Sequence, residues 1–312
     1  MKKFINLFIG SLCVLIFAVM SGCSSVKDKD INLVTSFYPI YIMTLNLTDG
    51  ISNVSVTNMA ENHTGCLHDF RLQTSDMKKI EKSDAFIING AGMESFLDKI
   101  IESNPEMTII NSSIGIDIIK SEHSHNHDEN EHDDSDEDSE EKMNQNPHIW
   151  VSISNYIKQV DNICDGLVKI NPENESKYRE NALIYKKKLE NLRDKMHHEL
   201  DTLPNKNVIT FHDAFPYFAK EFNLNIPTVI SSEPENEPSV KELSETINIV
   251  KTLGIKALFV EPQYSDSSAK TIAQETGASV YSLDSGSSGE ISKNAYLNIM
   301  EKNLKVLKDA LA

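Results

Sequence analysis

Histidines and acidic side chains crowd into residues 122–150, EHSHNHDENEHDDSDEDSEEKMNQNPHIW, which hold His123, His125, His127 and His132, a run of Asp and Glu, and then His148. Imidazole is the commonest side-chain ligand for divalent transition metals, and short His-rich tracts read as metal-collecting sequences. No apolar residue stands between Ser121 and Met143, so this segment cannot offset its own ordering entropy and is expected to be a solvated loop. A merely solubilising acidic linker is the competing reading. Against it, His148 follows at once in an apolar setting of Ile149, Trp150 and Val151, where a structured ligand would sit.

Three other residues have suitable chemistry at suggestive places: His68, His212 and Asp284. Each histidine alone is more often a hydrogen-bonded structural residue than a ligand. Placement decides, and placement is a matter of the surrounding elements. Residues 31–37 read as a strand and 38–47 as a helix with Pro39 in its first turn. Strands are expected at 54–59, 84–89 and 107–111, with helices at 75–82 and 93–102 between them. After the acidic loop, a helix is expected over 152–170. A longer one over 172–203 has Pro172 at its start and a stripe of Tyr178, Ala182, Tyr185, Leu189, Leu192, Met196, Leu200 and Leu203 at helical spacing. At 1.5 Å per residue it would reach roughly 45 Å, enough to act as a strut between two halves.

The second half repeats the rhythm. Strands are expected at 207–211, 226–230, 257–260 and 279–283, and helices at 215–222, 240–253, 268–276 and 291–311, with Gly254 and Gly277 closing the second and third helices. Strands separated by helices imply parallel pairing. The expected fold class is therefore α/β: two lobes with parallel sheets joined by a long helix. The expected divisions are a signal peptide at 1–22, a tether at 23–30, an N-terminal lobe at 31–171 carrying the loop 121–145, a linking helix at 172–204 and a C-terminal lobe at 205–312.

In open α/β sheets ligands collect beyond the carboxyl ends of the strands. His68 follows the second strand and its loop, His148 closes the acidic loop, His212 follows the strand at 207–211, and Asp284 follows the strand at 279–283. Three imidazoles and one carboxylate form a four-donor set that zinc accepts tetrahedrally. His197 and His198 near the end of the long helix read as solvated surface.

Bulk properties agree with a cationic cargo. The chain has 312 residues, 25% charged and 39% hydrophobic, with a formal net charge of -17. That balance argues against nucleic acid as a partner, since no Lys/Arg-rich stretch stands out to release phosphate counterions. Lys2 and Lys3 precede an apolar run from Phe4 to Met20, followed by Ser21-Gly22-Cys23. This pattern resembles a bacterial lipoprotein signal, with Cys23 acylated after cleavage, and implies an extracytoplasmic, lipid-anchored protein. Once Cys13 leaves with the signal, Cys66 and Cys164 remain, with no CxxC motif between them: either they form one disulfide or they are a buried thiol and a bystander.

Ser36-Phe37-Tyr38-Pro39, Gly65-Cys66-Leu67-His68-Asp69-Phe70, Asn146-Pro147-His148-Ile149-Trp150, Phe211-His212-Asp213-Ala214-Phe215 and Glu261-Pro262-Gln263, in this order, resemble the zinc- and manganese-specific solute-binding lipoproteins of ABC importers, the ZnuA-like group. The resemblance covers nearly all of the chain after the signal. It implies two α/β lobes bridged by a long helix, metal in the interlobe cleft, and a permease with its ATPase as partners. It carries His68, His148 and His212 over as ligands, with Asp284 at the carboxylate position. Leu67 stands where the family usually has Pro, and Asp284 is followed by Ser285 and Gly286 rather than Pro. Water or Glu261 is the alternative fourth donor.

The expected role is capture of extracytoplasmic Zn2+ as cargo, by a monomer with no catalytic residue and with the loop histidines as auxiliary sites. Retention of His212 favours zinc over the oxygen-preferring manganese, which remains an alternative. A zinc hydrolase is the second class, since three histidines and a water would suit catalytic zinc. Against it, the chain lacks a GxSxG elbow and an HExxH helix, and Gly90-Ala91-Gly92-Met93-Glu94-Ser95 lacks the last glycine of a dinucleotide fingerprint. A zinc-storage or adhesin lipoprotein is the third.

Overall fold

Alternating strands and amphipathic helices produce two parallel sheets. The structure, a computed structural model, describes residues 30–61, 65, 67, 70–121, 145–230 and 238–312. The expected signal peptide, Cys23, Cys66, His68 and the loop histidines His123, His125, His127 and His132 lie outside the described residues.

The first sheet holds β1 (Ile31–Thr35), β2 (Val54–Asn58), β3 (Ala85–Ile88) and β4 (Ile109–Asn111), in the order β2-β1-β3-β4 with every pairing parallel. β3 is buried along its whole length, as a strand covered on both faces must be. α1 (Tyr38–Leu47), α2 (Thr74–Glu81) and α3 (Asp98–Ser103) connect these strands. The second sheet holds β5 (Ile209–Thr210), β6 (Ala257–Val260) and β7 (Ser279–Ser282), again all parallel. α6 (Pro216–Phe222), α7 (Val240–Leu253) and α8 (Ser267–Thr276) belong to this half, and α9 (Ala295–Leu311) closes the chain. α7 follows its local signals closely: Ser239 and Glu242 form a capping box, and Gly254 ends the helix with φ +63°.

Between the sheets run α4 (Ile153–Ile170) and α5 (Glu175–Leu200), the latter preceded by a 3-10 turn at Pro172–Asn174. With 26 residues, α5 is about 39 Å long. Its buried face includes Tyr178, Ala182, Tyr185, Leu189, Leu192, Met196 and Leu200, while Leu203 lies past the helix end. That face packs on α1 and α4 from the first half and on α6 and α9 from the second. The helix is thus embedded along both halves, and a single apolar cluster runs from Leu33 through α4 and α5 to Phe259 and Leu283. Tyr156 of α4 stacks on Tyr296 of α9 at 3.7 Å, and its hydroxyl lies 3.0 Å from that of Tyr185 on α5.

Two segments depart from expectation. Residues 226–230 form no strand; single bridges join Asn207 to Asn225 and Thr210 to Val229. Pro227 has no N–H to donate, which interrupts a ladder at that point. The helix expected over 93–102 is a 3-10 turn at Ser95–Leu97 followed by the short α3. Ahead of it, Gly90, Ala91 and Gly92 have φ of +78°, +54° and +83°, a left-handed run that cannot start a right-handed helix.

Candidate metal centre

The carboxyl ends of β5, β6 and β7 bring three segments together. His212 follows β5 and is 3% exposed. Its Nδ1 lies 2.6 Å from Oε2 of Glu261, the first residue after β6. The other oxygen of Glu261 accepts the hydroxyl of Ser285, which follows β7, and Nε2 of Gln263 at 3.0 Å. Both oxygens of Glu261 are therefore engaged, and a carboxylate on Nδ1 makes that nitrogen the proton carrier. Nε2 of His212 is then the donor nitrogen of the ring.

Asp284 sits two residues after β7. Its backbone is clamped by Asn303 of α9, whose Oδ1 accepts the Asp284 N–H at 3.0 Å and whose Nδ2 donates to the Asp284 carbonyl at 2.7 Å. Burial pushes its carboxyl above the usual carboxylate range, opposed by the Gly286 N–H that donates to Oδ1 at 2.8 Å and reinforced by the charge of Glu261. Across from it, burial and then the charges of Asp284 and Glu290 push the Tyr38 hydroxyl up to about 12.

From the first half comes His148, 2% exposed, which leads the 3-10 turn Ile149–Val151 into α4. Ser152 caps α4 by accepting the Asn155 N–H at 3.2 Å, so the turn and the helix hold His148 between them. Asn146 Oδ1 accepts the His148 backbone N–H at 3.1 Å and stands 3.0 Å from its Nδ1. Trp150 packs beside the His148 ring at 5.2 Å and donates its indole N–H to the Ser285 carbonyl at 2.9 Å. As a result the rings of His148 and His212 meet edge to face, 4.7 Å apart at 88°.

The structure thus brings His148 and His212 together and sets Glu261 on the second of them. His68 lies outside the described residues; Leu67 beside it is fully buried in the core. His198 is exposed at the end of α5, whereas His197 is half-buried, 3.2 Å from Asp201 and with its ring 4.9 Å from that of buried Phe222. Among the described residues, no group of three or more His, Cys, Asp or Glu side chains is disposed to hold a metal ion. Cys164 is buried, and burial raises its thiol.

Asn146, Gln263 and Ser285 have roles at this site that residue type and spacing did not single out. For Asn146 a signal was available: an Asn two residues before a candidate ligand commonly accepts the N–H of residue i+2.

Comparison with known proteins agrees with this architecture. Residues 33–310 match the family described as "ZnuA: Zinc-uptake complex component A periplasmic". The chain is 31% identical over 322 residues to the High-affinity zinc uptake system protein ZnuA of Bacillus subtilis (strain 168), covering 99% of this chain and 98% of that protein. It is also 31% identical over 319 residues to the Zinc-binding protein AdcA of Streptococcus pyogenes serotype M3, where 99% of this chain spans only 61% of the relative's length. Among solved structures, a mutant of the laminin-binding adhesin Lmb of Streptococcus agalactiae superposes with a TM-score of 0.77 at 25% identity, over 90% of this chain and 100% of that one. With the family match running from β1 into α9, the chain belongs to the ZnuA family.

Proposed function

We propose that this protein captures Zn2+ outside the cytoplasm and hands it to a membrane permease driven by an ATPase. The observation that carries the reading is the edge-to-face pair of His148 and His212, 4.7 Å apart and buried, each with Nδ1 beside an oxygen partner. Rings held that way offer Nε2 to a cation between the lobes. Two nitrogens are too few for a tight tetrahedral site, and His68 is the third donor in this proposal. Asp284 is the fourth, with water as its alternative. Glu261 has both oxygens engaged and acts as the partner that orients His212.

A site rich in nitrogen suits zinc better than manganese. The cation is cargo, and no catalytic residue is assigned. In the same proposal Cys23 carries the lipid anchor, the protein works as a monomer, and His123, His125, His127 and His132 gather ions weakly and raise their concentration near the cleft. The names of the zinc-uptake and zinc-binding relatives support the choice of cargo.

Titration of the purified protein with Zn2+ against a chelating dye, beside His148→Ala and His212→Ala, tests the reading. One tight site is expected in the wild type and its loss in each variant. Wild-type affinity in both variants would overturn the assignment.

A further inference from the structure

We propose that Asn146 is a positioning residue of this cleft: one carboxamide sets the tautomer of His148 and ties it to the segment that carries His212. The inference rests on the reading of the two histidines as zinc ligands. Asn146 is 1% exposed, and every polar group it carries is engaged. Oδ1 accepts the His148 backbone N–H at 3.1 Å, a donor whose identity is beyond choice. Nδ2 donates to the Asp213 carbonyl at 2.8 Å and to Asp213 Oδ2 at 3.1 Å, both acceptors. The orientation of the amide is therefore fixed by three neighbouring atoms, not by the histidine ring.

The consequence falls on His148. Its Nδ1 lies 3.0 Å from the same Oδ1, which can only accept, so Nδ1 carries the proton and Nε2 carries the lone pair. In water a neutral imidazole samples both forms, and the wrong one would point an N–H at the cation. The Asn146 backbone is held as firmly: its N–H donates to the Ile119 carbonyl at 2.8 Å, and its carbonyl accepts the Tyr217 hydroxyl at 2.7 Å, which itself accepts the Ile119 N–H at 2.9 Å. Asp213 also accepts the Ser121 hydroxyl at 3.1 Å. The residue beside His212 is thereby tied to both sides of the segment that precedes His148.

Only an amide meets this pattern. Leucine has the size but neither the acceptor nor the donor. Aspartate keeps the acceptor for His148 and sets a second carboxyl group against Asp213. Partners that orient metal-binding histidines typically carry 10–100-fold in metal affinity.

Two measurements test the proposal. Nitrogen-15 NMR of the histidine rings in the zinc-free protein should show the Nδ1–H form for His148 in the wild type and its loss in Asn146→Leu, with a 10–100-fold fall in Zn2+ affinity. In Asn146→Asp the tautomer should persist while affinity falls, and adding Asp213→Asn should recover part of that affinity, because it restores the side-chain contact and leaves the backbone carbonyl of residue 213 without its donor. Because the aspartate pair preserves shape, it decides the matter if the leucine variant does not fold. An Nε2–H form of His148 in the wild type, or no recovery in the double variant, would overturn the proposal. Should His148→Ala and His212→Ala leave Zn2+ affinity unchanged, the zinc reading fails instead, and the tautomer result still reports on Asn146 alone.

Discussion

Nδ1 of His212 and Oε2 of Glu261 stand 2.6 Å apart, both side chains buried, although 49 residues separate them in the chain. A carboxylate in that place fixes the ring and raises its donor strength, while Ser285 and Gln263 hold its other oxygen in place. Glu261→Ala is expected to weaken Zn2+ binding by about 10–100-fold, measured by competition with a chelating dye. Glu261→Gln, which keeps an oxygen for Nδ1–H, is expected to weaken it less. Equal losses in the two variants would show that charge, not orientation, matters at this position.

A second carboxylate sits just beyond the carboxyl end of β3. Glu94 accepts the backbone N–H groups of Asn89 at 2.8 Å and Gly90 at 3.0 Å, and burial pushes its carboxyl up to about 7 against those two donors. The folded protein therefore holds a proton that the unfolded chain has released. Glu94 contributes stability that is fully present below its unfolded value near 4.5 and is lost as the pH rises through about 7. Denaturant unfolding of zinc-free wild type and Glu94→Gln at pH 5 and pH 8 checks this. The wild type should lose stability relative to the variant between the two, and a constant difference would rule the account out.

Gly90 is a site where any side chain meets two obstacles. Its φ is +78°, and a Cβ would lie 2.2 Å from Asn111 Oδ1 and 2.4 Å from Ser113 Oγ. Strain and overpacking together set the expected destabilisation of Gly90→Ala at about 2–5 kcal/mol by urea unfolding. The neighbouring Asn89 donates to the Pro147 carbonyl at 2.9 Å, so Zn2+ affinity should fall as well.

Deletion of residues 122–142 separates gathering from binding. Purified protein lacking them is expected to keep its tight site and lose the weak ones, read by titration. Cells carrying the deletion are expected to grow less well only at the lowest zinc supply. Unchanged uptake there would remove the loop from the transport role.

Local chemistry was enough for much of this molecule. The stripe from Tyr178 to Leu200 becomes the buried face of α5 because helical periodicity is a property of consecutive residues, and the capping box at Ser239 and Glu242 with Gly254 bounds α7 for the same reason. His148 and His212 were legible as candidates because loops at strand ends are readable from pattern. Glu261 was visible as a carboxylate of interest, but its role depends on which atoms stand opposite it. Residues 226–230 looked like a strand because apolar content is local, whereas a ladder needs a partner and an N–H that Pro227 lacks. The residue types and the order of elements were thus set by sequence, while the 4.7 Å meeting of two rings, the Asn146 amide between His148 and Asp213, and the Glu261 carboxylate on His212 came only from the tertiary structure. Hydrogen-bond direction and ring orientation are relations between segments distant in the chain, and folding alone brings those segments within reach.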